Sequence, residues 1–221
     1  EMNTLKLPSQ IVASYFPRHS IAVLSGPNFA EEVSRNMPAA TLIASNKIAT
    51  SKKIASIVQT KLFRPYVSDD VIGSQIAGAT KNVYAIACGV VEGKKFGKNA
   101  VASIISRSFA EVSRLNKSMK AKPETLSGLS GMGDLFLTCS SKKSRNFKLG
   151  LDLASGMSLS SIIKKNSSIA EGVFTARALK QMSLKKKLNL PIAETVYQIL
   201  YRKKNIDHAI EELLNRPIGR E

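Results

Sequence analysis

Residues 71–91 read VIGSQIAGATKNVYAIACGVV, and Lys81 is the only charged residue in the run. A helix apolar on all sides belongs in a protein core. Lysine is almost never fully buried there unless something pairs it. Burial disfavours the ammonium form, so an amine held in such a place becomes a usable proton acceptor near neutral pH. The structural alternative is that Gly73, Ser74, Ala77, Gly78, Ala85 and Gly89 let neighbouring helices approach closely while Lys81 snorkels its head to water. Both readings put this helix inside a packed body.

Outward from the run, the texture changes once. Asp69-Asp70 is a good helix start, and everything after it reads as helix. Between Asn99 and Leu115, the side chains Val101, Ile104, Ile105, Phe109, Val112 and Leu115 share one face. Further helices are expected over 144–154, 159–163, 171–186, 192–201 and 206–214, with Pro191 and Pro217 bracketing the last two. Upstream, IAVL (21–24) and AATLIA (39–44) look like buried strands, and FRPYV (63–67) like an edge strand broken by Pro65. Helical spacing over 28–35 and 51–62 separates them, which predicts βαβ units on a mostly parallel sheet. The expected organisation is therefore an α/β remnant over 1–69 followed by an all-α domain over 70–221. Three strands alone leave open edges and uncovered faces.

Composition narrows the function classes. With 221 residues, 43% of them hydrophobic, the chain can bury a substantial core. No apolar run approaches bilayer length, so membrane insertion is not expected. Cys88 and Cys139 lie far apart in apolar surroundings and read as small buried hydrophobes of a reducing compartment. His19 and His208 are the only histidines, so no metal site is expected. The net charge of +17 raises nucleic acid as a partner. However, the lysines are scattered as doublets and triplets, and the base-stacking aromatics of such proteins are missing. No nucleic-acid partner is expected.

Three further segments carry chemistry. GLSGMGDLFLTCSSKKSRN (128–146) has Gly128, Gly131 and Gly133 ahead of Asp134, where main chain can approach a ligand closely. Asp134 reads either as a carboxylate pointing into a cleft or as an ordinary N-cap. Ser144, Arg145 and Asn146 then open a helix, with a hydroxyl, a guanidinium and an amide suited to phosphate; the alternative is a capped, solvated turn. SGPNFA (25–30) follows a strand as glycine loops do at nucleotide sites, yet no GxGxxG occurs in the chain.

SGPNFAEEV, GATKNVYAIACGV, GLSGMGDLFLTCSSKKSRN and AEGVFTA, in that order and spacing, resemble the bacterial NAD(P)-dependent glycerol-3-phosphate dehydrogenases over essentially all 221 residues. The resemblance implies the C-terminal part of a Rossmann-type domain joined to a helical, 6-phosphogluconate-dehydrogenase-like substrate domain. It further implies a cytoplasmic enzyme that interconverts dihydroxyacetone phosphate and sn-glycerol 3-phosphate with NAD(P)H, for phospholipid synthesis. By position, Lys81 matches the catalytic proton donor and acceptor. Gly26, Asn28, Asp134, Ser144, Arg145 and Asn146 match substrate-binding positions. Ala30, Arg145, Ile169 and Glu171 match cofactor contacts.

Against the family pattern, Asn28 stands where Ser or Thr is usual, and Thr80 replaces a small apolar residue. The family's glycine-rich cofactor loop and a second active-site lysine would lie upstream of Glu1, so the chain reads as a fragment expected to be inactive alone. The apolar helices could support a homodimer. Two rivals stay open: another two-domain dehydrogenase of the β-hydroxyacid type, and a basic helical nucleic-acid-binding module.

Overall fold

The computed structural model describes residues 1–165 and 169–217. It begins with a small α/β unit: α1 (Pro8–Tyr15), β1 (Val23–Ser25), α2 (Ala30–Ser34), β2 (Ala39–Ala44), α3 (Ile48–Val58) and β3 (Phe63–Ser68). The strand order is β1-β2-β3. Strand β2 runs parallel to β3, Ala39 facing Phe63 and Ala44 facing Ser68, whereas β1 is antiparallel to β2, Val23 facing Ala44. The sheet is thus mixed, not mostly parallel.

Helix length accounts for the difference. The 11-residue α3 rises about 16 Å, nearly the 20 Å or so of a six-residue strand, so it can return the chain for a parallel crossover. The five-residue α2 rises only about 7 Å and cannot. The expected strand 21–24 is also displaced to Val23–Ser25, and it is not buried, because β1 has a neighbour on one side only and Leu24 faces solvent. Pro65 does not break β3; it pairs opposite Thr41 on an edge strand, where a missing N–H donor is tolerated.

The helical body follows: α4 (Val71–Gly93), α5 (Lys98–Ser118), α6 (Pro123–Ser127), a π-helical turn (Leu129–Gly133), α7 (Asp134–Ser140), α8 (Arg145–Ala154), α9 (Leu159–Lys165), α10 (Glu171–Lys186), α11 (Pro191–Arg202) and α12 (Ile206–Leu214). Asp70 caps α4, its Oδ1 accepting the Gly73 N–H at 2.9 Å while Oδ2 accepts the Lys122 N–H at 2.8 Å. One buried carboxylate therefore fixes where α4 begins and ties the start of α6 to it.

Helix α4 is the axis of the body, with α5, α7, α8, α10 and α11 packed on it. Its small residues act as the sequence suggested. A Cβ on Gly89 would lie 2.1 Å from Phe147 O, and a Cβ on Gly150 would lie 2.2 Å from Ile86 O, so α4 and α8 meet backbone to backbone. Val83, Tyr84, Ala85, Ile86 and Cys88 are sealed in the core.

Two core contacts were not apparent in the sequence. Cys88 and Cys139, distant in sequence, are buried free thiols and close neighbours; burial first, then the Cys88 thiol, push the Cys139 thiol well up. Glu111 of α5 accepts the N–H groups of Ile192 at 2.7 Å and Ala193 at 3.2 Å, and the Tyr84 hydroxyl at 3.2 Å. It thereby caps α11, whose own N-cap residue, Leu190, has no side-chain acceptor. Burial pushes the Glu111 carboxyl up to about 7.

Candidate active site

Lys81 projects from α4 toward the start of α7, where its Nζ lies 2.5 Å from Asp134 Oδ2. The Lys81 side chain is 22% exposed and that of Asp134 3%, so the pair is rooted in the core and open on the amine side. Asp134 is the first residue of α7 and not its N-cap. Its carboxylate receives the Lys81 ammonium and, at 3.2 Å on Oδ1, the Thr138 hydroxyl, which also lies 2.6 Å from the Asp134 carbonyl. Burial pushes the Asp134 carboxyl up, and Lys81 and then Thr138 pull against that shift. The glycine-rich turn delivers Asp134 by packing on its own chain: a Cβ on Gly131 would lie 1.9 Å from Leu126 O. That close approach serves the fold, where the sequence suggested a ligand.

The pair stands at the waist of a two-lobed cleft, with Gly78 and Asn28 beside it. One lobe, of about 650 Å³, is walled mainly by apolar side chains including Leu7, Ile76, Phe174, Leu179 and Met182. The other, of about 570 Å³, holds Ala30, Lys143, Ser144, Arg145, Asn146 and Glu171. The structure thus brings nearly all the expected site residues to one cleft. Ile169 is the exception; it borders a separate small pocket that Arg145 also touches.

Each expected residue has a local reason for its place. The Ser144 hydroxyl caps α8 by accepting the Phe147 N–H at 3.2 Å. The α8 start adds the first-turn N–H groups that a helix leaves without an internal partner. Arg145 reaches Glu171 at 2.5 Å across the polar lobe, with both side chains more than half exposed. Asn146 is buried and joins three helices: its Nδ2 donates to Asn82 Oδ1 at 3.0 Å, and its Oδ1 accepts the Gly172 N–H at 2.9 Å. Gly26 is buried where a Cβ would come within 3.1 Å of the Thr41 Cα on β2. Asn28 donates through Nδ2 to Ala40 O at 2.9 Å, which leaves its buried Oδ1 without a partner.

Four polar residues of this lobe escaped the sequence reading: Glu31, Asn82, Thr138 and Lys143. Thr138 was within reach of it, since position i+4 from Asp134 shares its helix face. Asn82 adjoins Lys81 but is explained only by Asn146, 64 residues on. Lys143 looked like one member of a surface doublet. Among the described residues no group of three or more His, Cys, Asp or Glu could hold a metal, and no helix is long and apolar enough to cross a membrane.

An amine on an axial helix paired with a carboxylate on its neighbour, where an α/β unit meets a helical body, is the layout of a two-part dehydrogenase with the 6-phosphogluconate-dehydrogenase-like fold. The chain belongs to the NAD-dependent glycerol-3-phosphate dehydrogenase family: residues 70–211 match that family's C-terminal part and residues 1–51 its N-terminal part. Over its whole length it is 47% identical to a glycerol-3-phosphate dehydrogenase (NAD(P)+) of Caulobacter vibrioides, covering 67% of that protein. It is 44% identical to one of Parvibaculum lavamentivorans, covering 66%. The crystal structure of glycerol-3-phosphate dehydrogenase from Coxiella burnetii superposes with a TM-score of 0.93 at 36% identity, over 97% of this chain and 66% of that one. The chain spans about two thirds of the length of the relatives it matches.

Proposed function

We propose that the protein carrying this chain interconverts dihydroxyacetone phosphate and sn-glycerol 3-phosphate in the cytoplasm, supplying phospholipid synthesis, with NAD(P)H as the redox partner. The observation that carries this reading is the Lys81–Asp134 pair at 2.5 Å, in one cleft with the Ser144–Asn146 helix start. The family relationship supports the same reading.

The residues present fit a nicotinamide cofactor. Asn28 Oδ1 is a buried acceptor lacking a donor, beside Lys81 where the two lobes join, and a carboxamide or hydroxyl donor would satisfy it. Ala30, Arg145 and Glu171 line the adjoining lobe and would contact the cofactor, with Ile169 further out beside Arg145. A bound nicotinamide supplies or takes the hydride.

The chain's own residues do the rest. The α8 start and the Arg145 guanidinium hold the phosphate, because first-turn N–H groups and the helix dipole favour an anion there. That anchoring points the three-carbon ketone at the waist of the cleft. Lys81 Nζ donates a proton to the ketone oxygen as it becomes a hydroxyl, and takes one back in the oxidative direction. Asp134 Oδ2 keeps the amine aimed. Thr138 in turn fixes the carboxylate's rotamer.

The test is a direct comparison of substrates on purified native-length protein, followed by nicotinamide absorbance. Dihydroxyacetone phosphate should be reduced with a kcat/KM at least a hundredfold above that of three-carbon keto acids. Preference for a carboxylated substrate would move the protein to the β-hydroxyacid class.

A further inference from the structure

The polar lobe contains a third cation that the reading so far leaves idle. Lys143 lies in the turn just before α8, with its N–H on Ser141 Oγ at 3.1 Å. It lines the same cavity as Lys81 and Arg145. Its Nζ is 2.7 Å from Glu32 Oε1 on α2, an ion pair between residues 111 apart that reaches from the helical body to the α/β unit. The two side chains are 48% and 35% exposed, so the pair contributes little to stability.

All three cations of this lobe face carboxylates: Lys81 has Asp134, Arg145 has Glu171, and Lys143 has Glu32. Glu31 also lines the lobe. Only the first pair is rooted in the core. A phosphate dianion arriving at the α8 start offers a doubly charged partner to Lys143, where Glu32 offers a single charge. A long lysine side chain can exchange one for the other by rotation about its own bonds. From this geometry we propose that Lys143 is a specificity-determining residue. It leaves Glu32 to contact the substrate's phosphate, and Glu32 competes for it in the empty site.

The inference rests on the proposed function, and it makes an unusual demand: the two members of one ion pair must act in opposite directions. Lys143→Met should raise KM for dihydroxyacetone phosphate about tenfold, the usual scale of one hydrogen bond to a charged group, with kcat changed much less. Its activity on unphosphorylated dihydroxyacetone should fall far less than its activity on the phosphorylated substrate. Glu32→Gln should lower KM severalfold, because Lys143 loses its competitor.

Calorimetric titration of inorganic phosphate into native-length wild type, Lys143→Met and Glu32→Gln gives the same ordering without turnover: weakest in Lys143→Met, tightest in Glu32→Gln. If both variants shift KM and phosphate affinity in the same direction, the pair is only a strap between lobes and the inference is wrong. If wild type fails to reduce dihydroxyacetone phosphate, the functional reading falls, and the phosphate titration alone still decides whether Lys143 binds the anion.

Discussion

On the two sides of Asp69, the chain is held together in different ways. In residues 1–69 the buried apolar side chains are Ile43 and Ala44, while Tyr15, Phe16, Leu24, Ile57 and Tyr66 stand exposed. Beyond Asp70, one continuous core joins α4 to α5, α7, α8, α10 and α11. Discrete polar tethers also hold the α/β unit to that core. Ser9 and Gln75 exchange two hydrogen bonds at 2.8 Å, Lys122 reaches Asp69 at 2.7 Å, and Lys143 reaches Glu32. The cleft therefore has one wall built into the continuous core and one wall tethered to that core. Lys81, Asp134 and Asn146 belong to the core wall, where the proposed proton transfer needs fixed geometry. Gly26, Asn28 and Ala30 belong to the tethered one.

The strongest challenge to this contrast is Gly150→Ala. Exposed helical glycines gain stability from alanine, but here the new methyl would meet the Ile86 carbonyl of α4 at 2.2 Å. A loss of roughly 4 kcal/mol is expected in urea unfolding, at the far end of single-substitution effects. A neutral or stabilising result would mean that the two helices are not in backbone contact.

Glu111 sharpens the contrast through pH. Burial holds the native carboxyl's pKa at about 7 against an ordinary 4.5, so the native state binds this proton more tightly than the unfolded chain does. The stabilisation is complete below about 4.5 and is lost as pH rises through about 7, a change of about 3 kcal/mol at most. Glu111→Gln should flatten stability against pH across that window, even though it weakens the cap on α11. Parallel profiles for variant and wild type would remove Glu111 as the titrating group.

Lys81→Ala tests the core wall as a chemical device. We expect kcat in the native-length enzyme to fall roughly 10²-fold, about 2.7 kcal/mol of barrier. Near-normal turnover would take Lys81 out of the mechanism. The smallest effect belongs to the tethered side: Ile57→Ala on α3, where the residue is 71% exposed, should alter stability by no more than about 0.5 kcal/mol. A cost of several kcal/mol there would show that this face is covered in the native-length protein.

How much of this was legible in the sequence depended on how local each cause was. Helices such as α5 and α12 could be read because their apolar side chains recur with a 3.6-residue period. Their ends were also marked, as by Pro191 at the start of α11. The short α6 and the π-helical turn escaped, since one turn shows no period. The antiparallel placement of β1 escaped because strand direction is set by what a connection can span.

The site followed the same rule. Lys81, Asp134 and the Ser144–Asn146 start announced themselves as polar groups in apolar runs or at a helix beginning. The Cys88–Cys139 contact and the Lys143–Glu32 pair join positions whose meeting only the fold decides. Glu111 lay in the middle of a helix already read as amphipathic, but nothing nearby marked it as the cap of a helix some 80 residues later.

The Asn146 amide has a consequence for how this enzyme can change. It is bonded on one side to the residue following Lys81 and on the other to the first turn of α10. The corner proposed to grip the anion and the corner proposed to move the proton are therefore one mechanical part. A mutation that shifts α8 at this corner will move the neighbour of Lys81 with it, whereas Lys143 and Glu32, paired outside the Asn146 bonds, can change without passing through them.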